Sequence, residues 1–164
     1  MTEQNIIIYT DGACIGNPGP GGYGAVILNG AKRTEISGGF QRTTNNRMEL
    51  LAIIESLKLL RGRQVVWLYS DSKYAIDAVK KGWLKKWAAN RWMRNKREKA
   101  ENVDLWKQMV QLLKKHEVDF RWVKGHAGNI ENEVCDKLAV RAAKGKGLKV
   151  DRGFEGRAKQ GEMF

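Results

Sequence analysis

The sequence predicts an α/β domain built on a mixed sheet, and three observations carry that expectation. Ile6-Ile7-Ile8-Tyr9-Thr10 is an apolar, β-branched run that stops at Asp11-Gly12, and the same grammar returns at Val65-Val66-Trp67-Leu68-Tyr69-Ser70-Asp71. Asn29-Gly30 divides two further strand-like runs, a good hairpin signal. After them strand and helix patterns alternate, and such crossovers demand parallel pairing between the flanking strands.

Each element follows from its own stretch. The continuous apolarity of Ile6–Thr10 predicts burial on both faces, and such a strand delivers Asp11 to the sheet end, where open α/β sheets place their sites. Gly16-Asn17-Pro18-Gly19-Pro20-Gly21-Gly22 is turn material, and Tyr23–Leu28 and Thr34–Phe40 are the hairpin strands, completing an antiparallel meander. Thr43-Thr44-Asn45-Asn46 supplies capping side chains for a helix with Leu50, Ile53, Ile54 and Leu57 as its buried stripe and Glu49 at the border. Val65–Ser70 is the fourth strand, and Asp71 or Ser72 caps the helix that follows directly.

Val103–Leu113 is an amphipathic helix with Leu105, Met109, Leu112 and Leu113 inward, and Val118–Val123 is a fifth strand. Lys124-Gly125-His126-Ala127-Gly128-Asn129 is a glycine-flanked loop. It leads to a closing helix, Ile130–Ala143, with Val134, Leu138 and Ala142 facing in and Asp136 at the stripe's edge. One domain over residues 1–144 is expected, followed by a basic, loosely ordered tail over 145–164.

Bulk composition narrows the function classes. Thirty Lys and Arg against 18 Asp and Glu give a formal charge of +12, which points to a polyanionic partner such as nucleic acid. No run approaches a membrane span and the first residues lack a signal peptide's pattern, so a cytoplasmic protein is expected. Cys14 and Cys135 form no framework and are expected as free thiols.

Between about residues 80 and 100 the chain turns strongly basic. Lys80, Lys81, Lys85, Lys86, Arg91, Arg94, Lys96, Arg97 and Lys99 are interleaved with Trp83, Trp87 and Trp92. A charge run of this kind is ordinarily a solvated face with tryptophans anchoring it. The overall charge favours phosphate tracking and base stacking instead.

Four carboxylates carry the chemistry. Singly, Asp11 reads as a turn residue, Asp71 as a cap, and Glu49 and Asp136 as solvated helix positions. Together, two follow strand ends and two lie at the rims of buried stripes, so all four can meet at one end of the sheet. Carboxylates held that close raise one another's pKa unless a cation relieves them. A hard divalent ion suits them, and Mg²⁺ is the usual partner of phosphate substrates. No Cys/His spacing suits zinc.

From about Ile6 to Ala143 the sequence resembles bacterial type 1 ribonuclease H. The carriers are Tyr9-Thr10-Asp11-Gly12-Ala13-Cys14 with Gly16-Asn17-Pro18-Gly19, then Thr43-Thr44-Asn45-Asn46-Arg47-Met48-Glu49-Leu50, then Ser70-Asp71-Ser72. The fourth block is Trp122-Val123-Lys124-Gly125-His126-Ala127-Gly128, leading to Asn132-Glu133, Cys135-Asp136 and Leu138-Ala139.

The resemblance implies a ribonuclease H-like fold: a five-stranded mixed sheet in order 3-2-1-4-5, its first three strands antiparallel, flanked by helices and carrying a basic helical handle. It implies hydrolysis of the RNA strand of RNA–DNA hybrids by a two-Mg²⁺ mechanism, with Mn²⁺ able to substitute, leaving 5′-phosphate and 3′-hydroxyl ends with little sequence specificity. Asp11, Glu49, Asp71 and Asp136 would hold the metals, and His126 would assist proton transfer or product release. Gly12, Cys14, Asn17, Thr44, Asn45, Asn46 and Lys73 would contact the substrate, and Trp83, Lys85, Lys86 and Trp87 of the handle would grip the DNA strand. A monomer is implied. Lys73 departs from the family, where many bacterial relatives carry glutamine. Two rivals are a catalytically silent duplex-binding module using the basic handle alone, and a related two-metal nuclease or strand-transfer enzyme acting on DNA.

Overall fold

The computed structural model describes residues 5–124 and 128–156. Its elements are β1 (Ile6–Cys14), β2 (Gly19–Asn29), β3 (Lys32–Thr43), α1 (Asn45–Lys58), β4 (Val65–Ser70), α2 (Lys73–Lys80), α3 (Trp83–Ala89), α4 (Val103–Lys115), β5 (Glu117–Trp122) and α5 (Ile130–Ala143). The five strands form one sheet in the order β3-β2-β1-β4-β5. β1 pairs antiparallel with β2, and β2 with β3, whereas β1–β4 and β4–β5 are parallel. The meander and the parallel pairing stand as the sequence predicts, but the hairpin turn is Gly30-Ala31, with Asn29 paired to Lys32 as the last residue of β2.

The main core lies under α1. Ile6 and Ile8 of β1, Val66 and Leu68 of β4, and Leu50, Ile53, Ile54 and Leu57 of α1 are buried together with Trp106 and Met109 of α4. Burying such side chains is worth roughly 1.5–3 kcal/mol each, so this layer dominates the fold's stability. The other sheet face departs from the expectation of full burial: Ile7 and Tyr9 are only half-buried. There Tyr9 stacks on Tyr69 at 4.8 Å, and the Arg121 guanidinium lies 4.0 Å over the Trp67 ring. An edge-strand arginine covers what a helix covers elsewhere.

On α5 the predicted inward face is wrong by one position. Asn132, Cys135, Ala139 and Ala143 are the buried residues, while Val134, Leu138 and Ala142 are half-buried. The cause lies in the strand beneath. An ideal Cβ on Gly24 would sit 2.5 Å from the Cys135 carbonyl oxygen, and one on Gly22 would sit 2.8 Å from Ala143 N. Glycine on β2 lets the helix backbone approach, and only small residues fit at that seam. Both cysteines are free thiols.

Of the tail expected over 145–164, residues 145–156 are described, and those around Lys149 and Asp151 pack on β3 and α1. Lys149 bridges Phe40 of β3, and its carbonyl accepts from Gln41 N at 2.8 Å. Asp151 is 8% exposed and accepts from Arg47 Nε at 2.8 Å and from Thr43 Oγ1 at 2.6 Å. Arg47 extends the cluster to Asp104 of α4, 2.7 Å from its Nη2. Asp151 of the basic tail thus meets a buried guanidinium, which would otherwise lose one of its two acids.

The basic segment is anchored by its tryptophans. Trp87 packs on the buried Trp106 at 5.9 Å, whereas Trp83 is 37% exposed and Lys85 and Lys86 are exposed. Among the described residues no helix is long and apolar enough to cross a membrane.

Candidate metal and nucleic-acid site

Asp11 lies where two kinds of pairing part. β1 runs on to Cys14 against β2, beyond the expected strand end, while its parallel pairing with β4 stops at Thr10 opposite Ser70. Asp11 and Asp71 are therefore the next residues of two adjacent parallel strands. Asp71 is not the helix cap: Ser72 is, its hydroxyl accepting from Ala75 N at 3.1 Å. That leaves the Asp71 carboxylate out of the capping role.

Glu49 arrives from α1, whose N-terminus is fixed by its cap, the Thr44 hydroxyl accepting from Arg47 N at 3.2 Å. Close approach of helix and strand depends on Gly12, where an ideal Cβ would be 2.5 Å from Glu49 N. The bare N–H of Gly12 donates to Asp11 Oδ1 at 2.9 Å and to Glu49 Oε1 at 3.1 Å. Asp11, Glu49 and Asp71 each offer a carboxylate oxygen, all within 4.8 Å of one another. Asp136, on α5, is half-buried and lines the same cavity of about 520 Å³. All four acids of the sequence argument meet at one place.

The electrostatics are those of an unrelieved acid cluster. Burial pushes the Asp11 carboxyl up to about 8, with Asp71 and Asp136 adding to the rise against the hydrogen bonds of Glu49 and Gly12. Glu49, 4% exposed, is likewise held well above the usual carboxylate range by burial and then by Asp11. Its Oε2 is buried without a hydrogen-bond partner. An orphaned buried carboxylate oxygen on one of three converging acids has the donor chemistry of a hard-cation site, so the residues fit a divalent metal ion.

A family model described as RNase H matches residues 3–144. The chain belongs to the RNase H family. As an RNase H it is a hydrolase and a nuclease. A "Ribonuclease H" of Trichodesmium erythraeum is 59% identical over 157 residues, covering 94% of this chain and all of that protein. Among solved structures, LC9-RNase H1, a type 1 RNase H with the type 2 active-site motif, superposes with a TM-score of 0.77 at 34% identity, over 96% of this chain and 82% of that one. The structure of LC11-RNase H1 in complex with an RNA/DNA hybrid has a TM-score of 0.63 at 24% identity, over 85% and 97% of the chains, a likeness of fold.

The remaining predicted positions divide in this RNase H. Gly12, Cys14, Asn45, Asn46 and Lys73 line the acid cavity, together with Ala13, Ser72 and Tyr74, which sequence reasoning had not picked out. Asn17 and Thr44 do not line it. Asn17 instead accepts from Asn45 N at 3.0 Å, fastening the β1–β2 turn to α1. The Cys14 thiol donates towards Thr43 O at 3.3 Å and Gly19 O at 3.4 Å. Trp83, Lys86 and Trp87 line a second cavity with Met93 and Arg94, while Lys85 borders an apolar one between α3 and α4. His126 lies outside the described residues.

Proposed function

We propose that this RNase H hydrolyses the RNA strand of RNA–DNA hybrids at the Asp11–Glu49–Asp71–Asp136 cluster, with Mg²⁺ as its natural metal. The observation that carries the reading is the convergence of three carboxylates within 4.8 Å, one of them holding an orphaned buried oxygen. The hybrid in the complex of LC11-RNase H1, which has the same fold, supports the choice of substrate.

The four acids would hold two divalent cations, with Mn²⁺ able to substitute. When bound, such cations lower the pKa of water and offset charge on the phosphate under attack. The chain's own groups do the rest. Glu49 and Asp11 are fixed by the Gly12 N–H, so the ligand oxygens are placed before substrate arrives. Water adds to phosphorus, the bond to the 3′-oxygen breaks, and that oxygen takes a proton, leaving 5′-phosphate and 3′-hydroxyl ends. His126 serves as the proton carrier. Cys14, Asn45 and Asn46 face the groove, and contacts to 2′-hydroxyls select the RNA strand. Trp83, Lys85, Lys86 and Trp87 hold the DNA strand through backbone and stacking contacts, so sequence specificity is low. Residues 1–144 supply all of these groups, and the protein acts as a monomer in the cytoplasm.

The test is cleavage of labelled RNA–DNA hybrid, RNA duplex, DNA duplex and single-stranded RNA, each with Mg²⁺ or EDTA. Cutting only the hybrid's RNA strand, abolished by chelation, is the expected result. Cleavage of duplex DNA, or binding without cleavage, would overturn it.

A further inference from the structure

Trp122 closes β5 opposite Ser70, one residue before Asp71, and remains 43% exposed. Two contacts engage it. Its indole Nε1–H donates to the Asp71 carbonyl oxygen at 3.3 Å, and the Lys73 ammonium lies 4.0 Å from its ring centroid. Lys73 is exposed and lines the acid cavity beside Asp11, Glu49 and Asp71. Among the described residues it makes no ion pair. The positive charge that Lys73 brings to that acidic wall is therefore steered by a ring face, which leaves its outward N–H donors for a ligand.

We infer that Trp122 is a positioning residue for substrate: its ring holds the Lys73 ammonium at the cavity rim, where it meets a backbone phosphate beside the one lying over the acids. A duplex reaching the acids must pass this rim. A lysine on a free four-carbon stem would have to be ordered on each binding event, and the ring orders it beforehand. Phosphate contacts of this kind fix register and carry no sequence information. The inference rests on the hybrid-cleavage reading.

A binding cycle tests it. Kd for a fluorescein-labelled RNA–DNA hybrid is measured by anisotropy in EDTA across a KCl series for Lys73→Gln, Trp122→Ala, Trp122→Phe and the Lys73→Gln/Trp122→Ala double variant. Melting curves check that each is folded. Lys73→Gln should weaken binding about fivefold at moderate salt and lower the slope of log Kd against log salt by about 1. Trp122→Ala should act in the same direction, Trp122→Phe should stay within about twofold of wild type, and the double variant should be no worse than Lys73→Gln. If Trp122→Ala weakens binding equally on the Lys73→Gln background, or Trp122→Phe is as damaging as Trp122→Ala, the inference is wrong while hybrid cleavage by the wild type still stands. If the wild type does not cut the hybrid, both fall.

Discussion

Asp11 and Glu49 share one backbone donor: the Gly12 N–H lies 2.9 Å from Asp11 Oδ1 and 3.1 Å from Glu49 Oε1. A single amide thus sets the spacing of two carboxylates from different elements. It also confines two carboxylates that would otherwise separate, so without a cation the site opposes the fold.

That opposition is measurable. Asp11 binds its proton more tightly in the folded chain than the ~3.9 of an unfolded aspartate, with a folded value of about 8. Stability of the metal-free protein should therefore fall as pH rises between those values and level off above. The slope approaches roughly 1.4 kcal/mol per pH unit from this group. Asp11→Asn should raise Tm in EDTA at pH 7–8 by about 5 °C or more, with the gain vanishing near pH 4, while hybrid cleavage drops by at least about 10³-fold. Calorimetry across pH reads the first effect and steady-state assays the second. A variant no more stable than wild type at pH 8 would refute the repulsion.

Gly12→Ala should damage site and fold together. The added methyl meets Glu49 N at 2.5 Å and Met48 C at 2.6 Å, both backbone atoms of α1. Overpacking of this kind costs about 1–3 kcal/mol, and here the helix that must yield carries Glu49. Urea unfolding should show the loss, and Mg²⁺ titration calorimetry with hybrid present should show weakened uptake. Normal metal uptake would mean that Glu49 does not follow α1.

Arg47→Ala leaves Asp151 buried without its cation, only the Thr43 hydroxyl and the Phe154 N–H still donating to it, and removes a bond to Asp104, which is 43% exposed. Breaking a buried pair costs 3–5 kcal/mol in general, so about 3 kcal/mol is expected here, a Tm loss of roughly 6–12 °C. Burial raises the Asp104 carboxyl, but the Arg47 hydrogen bond and charge outweigh it and hold it low. This contribution is present above ~3.9 and is lost as pH falls through the depressed folded value. Truncation after Gly147 should lose stability similarly. A truncated chain that melts with the full-length protein would dismiss the Asp151 clamp.

His126→Ala should lower kcat about 10²-fold or more while hybrid Kd stays within a factor of two, as for a group that moves a proton rather than holds substrate. Unchanged turnover would remove it from the reaction.

Much of this was legible because the signals were local. β-branched runs ending in Asp11 and Asp71 mark their own strands, and the stripe Leu50–Leu57 marks the buried side of α1, so the meeting of the acids follows once parallel pairing is granted. The inward side of α5 was misread because periodicity favours the greasiest stripe, Val134 and Leu138. The glycines of β2 choose the smallest residues instead, and Gly22 and Gly24 were the available clue. The pairings of Asp151 with Arg47 and of Trp122 with Lys73 were not legible, since partners about 50 to 100 positions apart imprint no pattern on either stretch.

The glycine seam under α5 acts like a keyway. Because Gly22 and Gly24 offer no side chain, the depth at which the helix seats is set by backbone against backbone. Asp136, one residue after Cys135, inherits that depth as its reach toward Asp11. A methyl at Gly24, which pairs with Asp11 across the ladder, would meet the Cys135 carbonyl oxygen at 2.5 Å, lift the helix and draw Asp136 away from the other three acids.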